Sequence, residues 1–212
     1  MAATAKERGR EARERLLRAA AELITERGWT GVTTRAVAER AGVTAGIVHY
    51  HFDSVDALLA ETAVGTMRAA TAWLKTALER VSSADEALTT LLAALDSYGG
   101  NDPESVLFVE AYLAATRDPG LRERISAVLT ELRTALADRF TEHGITDAEE
   151  TAAVVVASLD GLVMHRALNP ALTTGTVRPV LRRLLGTEQD GGSDRHDEPS
   201  DDCTTTDGRD RL

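Results

Sequence analysis

The 212-residue chain holds a single cysteine, Cys203. An internal disulfide is therefore impossible, and the chain suits a reducing cytosol. Aromatic residues make up only 4%, which argues against a sandwich or barrel, where aromatic and β-branched residues dominate. Long apolar runs are missing too. The longest lies near "AAVVVASL" (residues 152–159), far below the roughly 20 residues a membrane span requires. The opening "MAATAKERGREARER" has no apolar stretch of the secretory kind. A cytoplasmic protein with no membrane partner is expected. The patterns G-x-S-x-G, Walker A and the Rossmann glycine fingerprint do not occur, so no enzyme is expected. Two of the five histidines, His49 and His51, sit close together in "GIVHYHF". Two positions apart on a helix, they point about 200° from each other and cannot chelate one ion. His143 and His165 have no ligand spacing either. No metal and no cofactor is expected.

What is present favours helices. Alanine and leucine are abundant, with 43% hydrophobic and 27% charged residues. The net charge of −10 is unevenly spread: residues 1–52 carry nine Lys/Arg against six Asp/Glu. A basic first quarter on an acidic chain suggests that one end meets a polyanion.

Apolar periodicity and capping signals predict an all-α chain of about nine helices. The first spans about 10–27 and stops at Gly28. A second starts at Thr33 or Thr34 and stops at Gly42. A third, short one follows Thr44, a long one runs from Asp53 or Ser54 to about 81, and "ADEALTTLLAALDSYG" forms the next, stopping at Gly99–Gly100. Asp102–Pro103 and Asp118–Pro119 each place a capping carboxylate before a proline at the first helical position, a strong start signal. Two more helices follow, starting near Asp147 and near 175. No segment alternates with period two, so no sheet is expected. Three regions result: 1–53 as an N-terminal head, 54–186 as a larger helical body, and 187–212 as an acidic disordered tail with too few apolar residues to offset ordering entropy.

In the head, "TTRAVAERAGVTAGIVHYHF" reads as two short helices joined by a glycine turn, a helix-turn-helix. Val37 and Ala38 face inward on the first helix, and Val48 and Phe52 form the inward stripe of the second. The front and outer face of the second helix are then free to enter a major groove. With a preceding helix and "FDSVDALL" opening a long one, "LLRAAAELITERGWTGVTTRAVAERAGVTAGIVHYHFDSVDALL" (residues 16–59) resembles the tetracycline-repressor (TetR) family. "ATRDPGLR" (115–122) matches a helix start of that family.

The resemblance implies a homodimeric transcriptional regulator, usually a repressor, that leaves a palindromic double-stranded DNA operator when a small effector binds its body. It places Thr34, Arg35, Thr44, Ala45, Gly46, His49 and Tyr50 at DNA. The family often has tyrosine at the position of His49 and lysine at that of Val55. Losing that lysine removes a phosphate contact, which Lys6, Arg8, Arg10 and Arg13 of an N-terminal arm are candidates to replace, unless they form only a frayed, solvated terminus. A hydrophobic or amphipathic effector would be lined by Met67, Leu74, Tyr98, Phe108, Tyr112, Asp160 and Met164, with Trp73 a further candidate. Glu110, Asp160 and His165 are polar groups on apolar helices, and satisfied interior groups or interface hydrogen bonds are their plainer reading. The segment "AAVVVASLDGLVMHRAL" is apolar nearly all round, as a helix buried on several sides would be. The family resemblance assigns it, with 175–185, to the dimer interface, through Val156, Leu159, Val163, Val180 and Leu184. Two rival readings stay open: a DNA-binding regulator without small-molecule input, and an activator.

Overall fold

The computed structural model describes residues 4–186. Among them the chain is all-helical. The head comprises α1 (Ala5–Arg27), a 3-10 turn at Trp29–Gly31, α2 (Thr34–Ala41) and α3 (Ala45–His51). The body comprises α4 (Val55–Leu78), α5 (Ala84–Leu95), α6 (Pro103–Ala115), α7 (Pro119–Glu142), α8 (Ala148–Arg166) and α9 (Thr174–Leu184). The acidic segment 187–212, expected to be disordered, lies outside the described residues.

The helix starts follow the capping chemistry. Thr33 accepts from the Ala36 N–H at 3.2 Å, Ser54 from the Ala57 N–H at 3.0 Å, Asp102 from the Ser105 N–H at 2.9 Å and Asp118 from the Leu121 N–H at 3.1 Å. Each satisfies an N–H that has no partner within its helix. Gly42 closes α2 in the left-handed region, at φ 66°. This turns the chain sharply toward α3. α1 begins at Ala5 rather than near residue 10. A capping box pairs Thr4 with Glu7 there, each side chain satisfying the other's backbone N–H. Lys6 and Arg8 therefore stand on the helix with Arg10 and Arg13, which corrects the expected helix start and the frayed terminus before it. Arg13 reaches back to the body, pairing with Glu61 and covering the Phe52 ring at 5.0 Å.

Two apolar cores stack along the molecule. The first joins Leu16, Leu23 and Ile24 of α1, Val37 of α2, Val48 of α3 and Phe52 to Leu58 and Val64 of α4, Leu107 and Ala111 of α6, and Ile125 of α7. The packing thus runs straight across residue 53, where the sequence suggests a division between head and body. The second core holds Leu88 and Leu91 of α5, Leu136 and Phe140 of α7, Val155 and Leu159 of α8, and Leu181 of α9. α4 and α7 run through both cores. Asp85 of α5 ties down α9 through Arg178 (2.9 Å) and Arg182 (2.7 Å). Arg166, at the end of α8, donates to the carbonyl oxygens of Leu95, Tyr98 and Leu172. It thereby gathers the ends of α5 and α8 and the start of the α9 loop.

Candidate nucleic-acid interface and body cavity

The free end of the head is built by α2 and α3. Val48 is buried and fixes the orientation of α3. At 100° per residue, Gly46 and Tyr50 then face away from the core, with Ile47 and His49 on the flanks. Tyr50 is 80% exposed, and Thr44, Ala45, Gly46 and His49 are exposed beside it. Arg35 is exposed at the front of α2, with Thr34 half-buried next to it. All seven residues expected at DNA therefore share this end of the molecule. A narrow helix with a glycine, an alanine and a tyrosine on its outer face can enter a groove about 12 Å wide.

Ile47, not among the residues expected at DNA, is also exposed on this helix. A branched apolar side chain there can contact a thymine methyl group. The signal was available: on the helical wheel Ile47 lies well away from Val48. His51 is half-buried instead, with its ring edge-on to Tyr50 at 5.0 Å between centroids.

Not every arginine near this end is free. Arg40 of α2 bonds Glu22 at 2.9 Å and Glu26 at 2.7 Å, both on α1. These pairs raise the Arg40 guanidinium above its ordinary pKa and hold the Glu26 carboxyl below its own. Arg40 thus braces α2 against α1, while Arg35 forms no ion pair among the described residues.

The body holds a partly open cavity of about 100 Å³ between α4, α5, α6, α7 and α8. Met67 and Leu74 line it from α4, Phe108 and Tyr112 from α6, Asp160 from α8, and Tyr98 from the α5–α6 link. The Tyr98 and Phe108 rings lie 5.9 Å apart, tilted by 41°. Met164 is a correction: it is 47% exposed and does not reach the cavity. Trp73 is likewise on the outside. Four residues beyond Asp160, Met164 is turned about 40° further around α8, enough to leave the wall.

Among the residues lining the cavity, Asp160 carries the only charge. The Tyr112 hydroxyl donates to it. Burial pushes the Asp160 carboxyl up to about 6, against the opposing pull of that hydrogen bond. Burial also pushes the Tyr98 phenol up to about 12, with Glu104 beside it adding to the shift.

The expected dimer residues divide. Val156 and Leu159, at 4% and 6% exposure, are buried within the subunit and line the cavity, as Val163 does. They are corrected to interior positions. Val180 and Leu184 of α9 are exposed. The outward face of α8 is a different stripe, running through Val154, Ala157, Gly161 and Met164 to Leu168 just beyond the helix.

Glu110, a polar group on an otherwise apolar helix, lies outside the cavity and makes a hydrogen bond between body and head. Its carboxylate accepts from the backbone N–H of Trp29 at 2.7 Å and lies against Gly28. α6 therefore presents Phe108 and Tyr112 to the cavity and Glu110 to the head.

Comparison with known proteins agrees with this layout. Residues 16–62 match the family described as bacterial regulatory proteins, tetR family, and residues 84–187 match the tetracyclin repressor-like C-terminal domain. An uncharacterized HTH-type transcriptional regulator of Mycobacterium tuberculosis is 28% identical over 192 residues, covering 87% of this chain and 98% of that protein. A transcriptional regulator of Rhodococcus sp. Rha1 has a similar structure, with a TM-score of 0.71 and 28% identity over 82% of this chain and 94% of that one. The multidrug binding protein EbrR, solved with imidazole, is 30% identical, with a TM-score of 0.63, over 82% of this chain and 94% of that one.

Proposed function

The chain belongs to the tetR family of bacterial regulatory proteins and is a DNA-binding transcriptional regulator rather than an enzyme; from that premise we propose that it is a homodimeric repressor released from its operator by a small molecule held in the body cavity. The observation that carries this reading is the double role of α6, which lines the cavity through Phe108 and Tyr112 and holds the start of the helix-turn-helix through Glu110. A ligand pressing on that helix shares a rigid element with the DNA-reading end. Thr34, Arg35, Thr44, Ala45, Gly46, His49 and Tyr50, with Ile47, form the reading surface in this proposal.

A palindromic operator requires two heads about one helical turn, on the order of 34–36 Å, or a multiple of it apart. The exposed stripe of α8 and Val180 and Leu184 of α9 supply an apolar surface for a second copy. Gly161 allows close approach, because the space where a Cβ would stand is open. Release then follows from differential affinity: the effector favours a body conformation whose heads are wrongly spaced for the operator. That EbrR is a multidrug binding protein solved with imidazole supports a ligand-binding body on this architecture.

The test is gel-shift titration on the DNA flanking the protein's own gene, with and without candidate effectors. A specific shift abolished by ligand is expected. A specific shift that no cavity ligand alters would favour the reading without small-molecule input.

A further inference from the structure

The cavity wall is almost wholly apolar, yet it holds one carboxylate. No Lys, Arg or His is among its lining residues. A carboxylate in such surroundings is costly when ionised unless a positive group compensates it. Among the described residues, one neutral hydrogen bond, from Tyr112, reaches it. That bond orients the carboxylate and leaves acceptor sites on Asp160 unused. Aromatic rings complete the surroundings: Tyr98 and Phe108 as a tilted pair, and Tyr112 beside the carboxylate. Ring faces attract cations, most strongly where water is excluded. An anionic ligand would meet Asp160 with no compensating charge, and a neutral one would leave the half-buried carboxylate without a counter-ion.

Building on the effector reading above, we propose that the cavity takes a compact organic monocation, a protonated amine or quaternary ammonium, with Asp160 as its counter-ion and the rings of Tyr98, Phe108 and Tyr112 around its charge. A single small ring or a branched ammonium group fits within the volume of about 100 Å³. The apolar walls of α4, α5 and α7 fit the ligand's hydrocarbon part. Selectivity then rests on charge sign, because walls of this kind discriminate weakly by shape alone.

Three probes of similar size test this by calorimetry on the full-length protein at pH 7.5: piperidinium, its neutral ring counterpart tetrahydropyran, and cyclohexanecarboxylate. Piperidinium is expected to bind about ten-fold or more tighter than tetrahydropyran. Asp160→Asn should weaken piperidinium by about ten-fold and leave tetrahydropyran within about two-fold. Should the Asn variant fold poorly, Phe108→Leu gives a second reading, with a several-fold loss for the cation and little change for the neutral ring. Equal or tighter binding of tetrahydropyran or the carboxylate overturns the cation proposal while leaving the cavity as an effector site. Unchanged piperidinium affinity in Asp160→Asn also overturns it. Absence of binding by all three probes counts against both the cation and the effector reading.

Discussion

The carboxylate of Glu110, on α6 of the body, accepts a hydrogen bond from the backbone N–H of Trp29, in the turn between α1 and α2, at 2.7 Å. This donor opens a 3-10 turn, where the helical pattern supplies no partner. A charged acceptor makes the bond stronger than a neutral one would. Glu110→Ala is expected to cost about 1–3 kcal/mol of stability, measured by denaturant unfolding. In a ligand-released complex it should also shrink the effector-induced change in operator affinity. An unchanged ratio of affinities with and without effector would detach Glu110 from the coupling.

Arg35 and Arg40 lie five residues apart on α2 and should behave oppositely. Arg35→Ala is expected to weaken operator binding by about 1–3 kcal/mol. Arg40→Ala should change operator affinity much less, because its guanidinium is engaged by Glu22 and Glu26. Gel-shift or anisotropy titrations at fixed salt compare the two, since phosphate contacts are salt-dependent.

Asp160 gives a pH signature. Its carboxyl titrates near 6 in the folded protein and near 3.9 in an unfolded chain. Between those values the folded state binds more protons, so this group's contribution to stability falls as pH rises through the window. The contribution is undiminished below about pH 4, and the full cost is present above about pH 6. Its size is on the order of 2–3 kcal/mol. The facing groups are Tyr112 from α6 and Tyr98 from the α5–α6 link, whereas α4, α5 and α7 present no charge to the cavity. Asp160→Asn is therefore expected to melt higher than the parent at pH 7.5, with the difference vanishing near pH 4. Differential scanning calorimetry across that range measures it, and a pH-independent difference would contradict it.

The two classes of apolar residue on α8 and α9 should separate in solution. Leu168→Asp or Val180→Asp, on exposed positions, is expected to shift a dimer toward monomer in sedimentation equilibrium, with the fold retained. Val156→Ala sits inside the subunit and should leave the association state alone while costing about 0.5–1.5 kcal/mol or more of stability.

Gly100 sits at φ 84°, and a Cβ there would lie 2.5 Å from the Ala167 nitrogen and 2.9 Å from the Val163 carbonyl oxygen. Both obstacles are backbone. Gly100→Ala is expected to destabilise by about 1–3 kcal/mol or more in thermal melts, from left-handed strain together with overpacking.

The head was readable in the sequence because its signals are local. Caps at Thr33 and Ser54, a glycine turn at Gly42 and inward positions at Val37 and Val48 all fall within a few residues of what they control. The start of α1 was equally local, in Thr4 and Glu7, but Gly9 and the run of charges around it hid the continuation. α8 failed for a different reason. A helix apolar on every side carries no periodic mark of which side faces inward. Packing against α7, α5 and α6 turns Val156, Leu159 and Asp160 inward and leaves Val154 and Met164 outside. The cavity is a product of five helices meeting, so the sequence could name Asp160 and Met164 alike as its lining but not tell that only Asp160 reaches it.

The first apolar core has a consequence for protein engineering. Because Leu58, Leu107, Ala111 and Ile125 of the body complete the interior that Leu23, Val37 and Val48 begin, a fragment ending at residue 53 would expose much of its own interior to water. Grafting this DNA reader onto another body, or another reader onto this one, therefore means transplanting the first half of α4 and the matching faces of α6 and α7 as well. The exchangeable unit is larger than the motif that touches DNA.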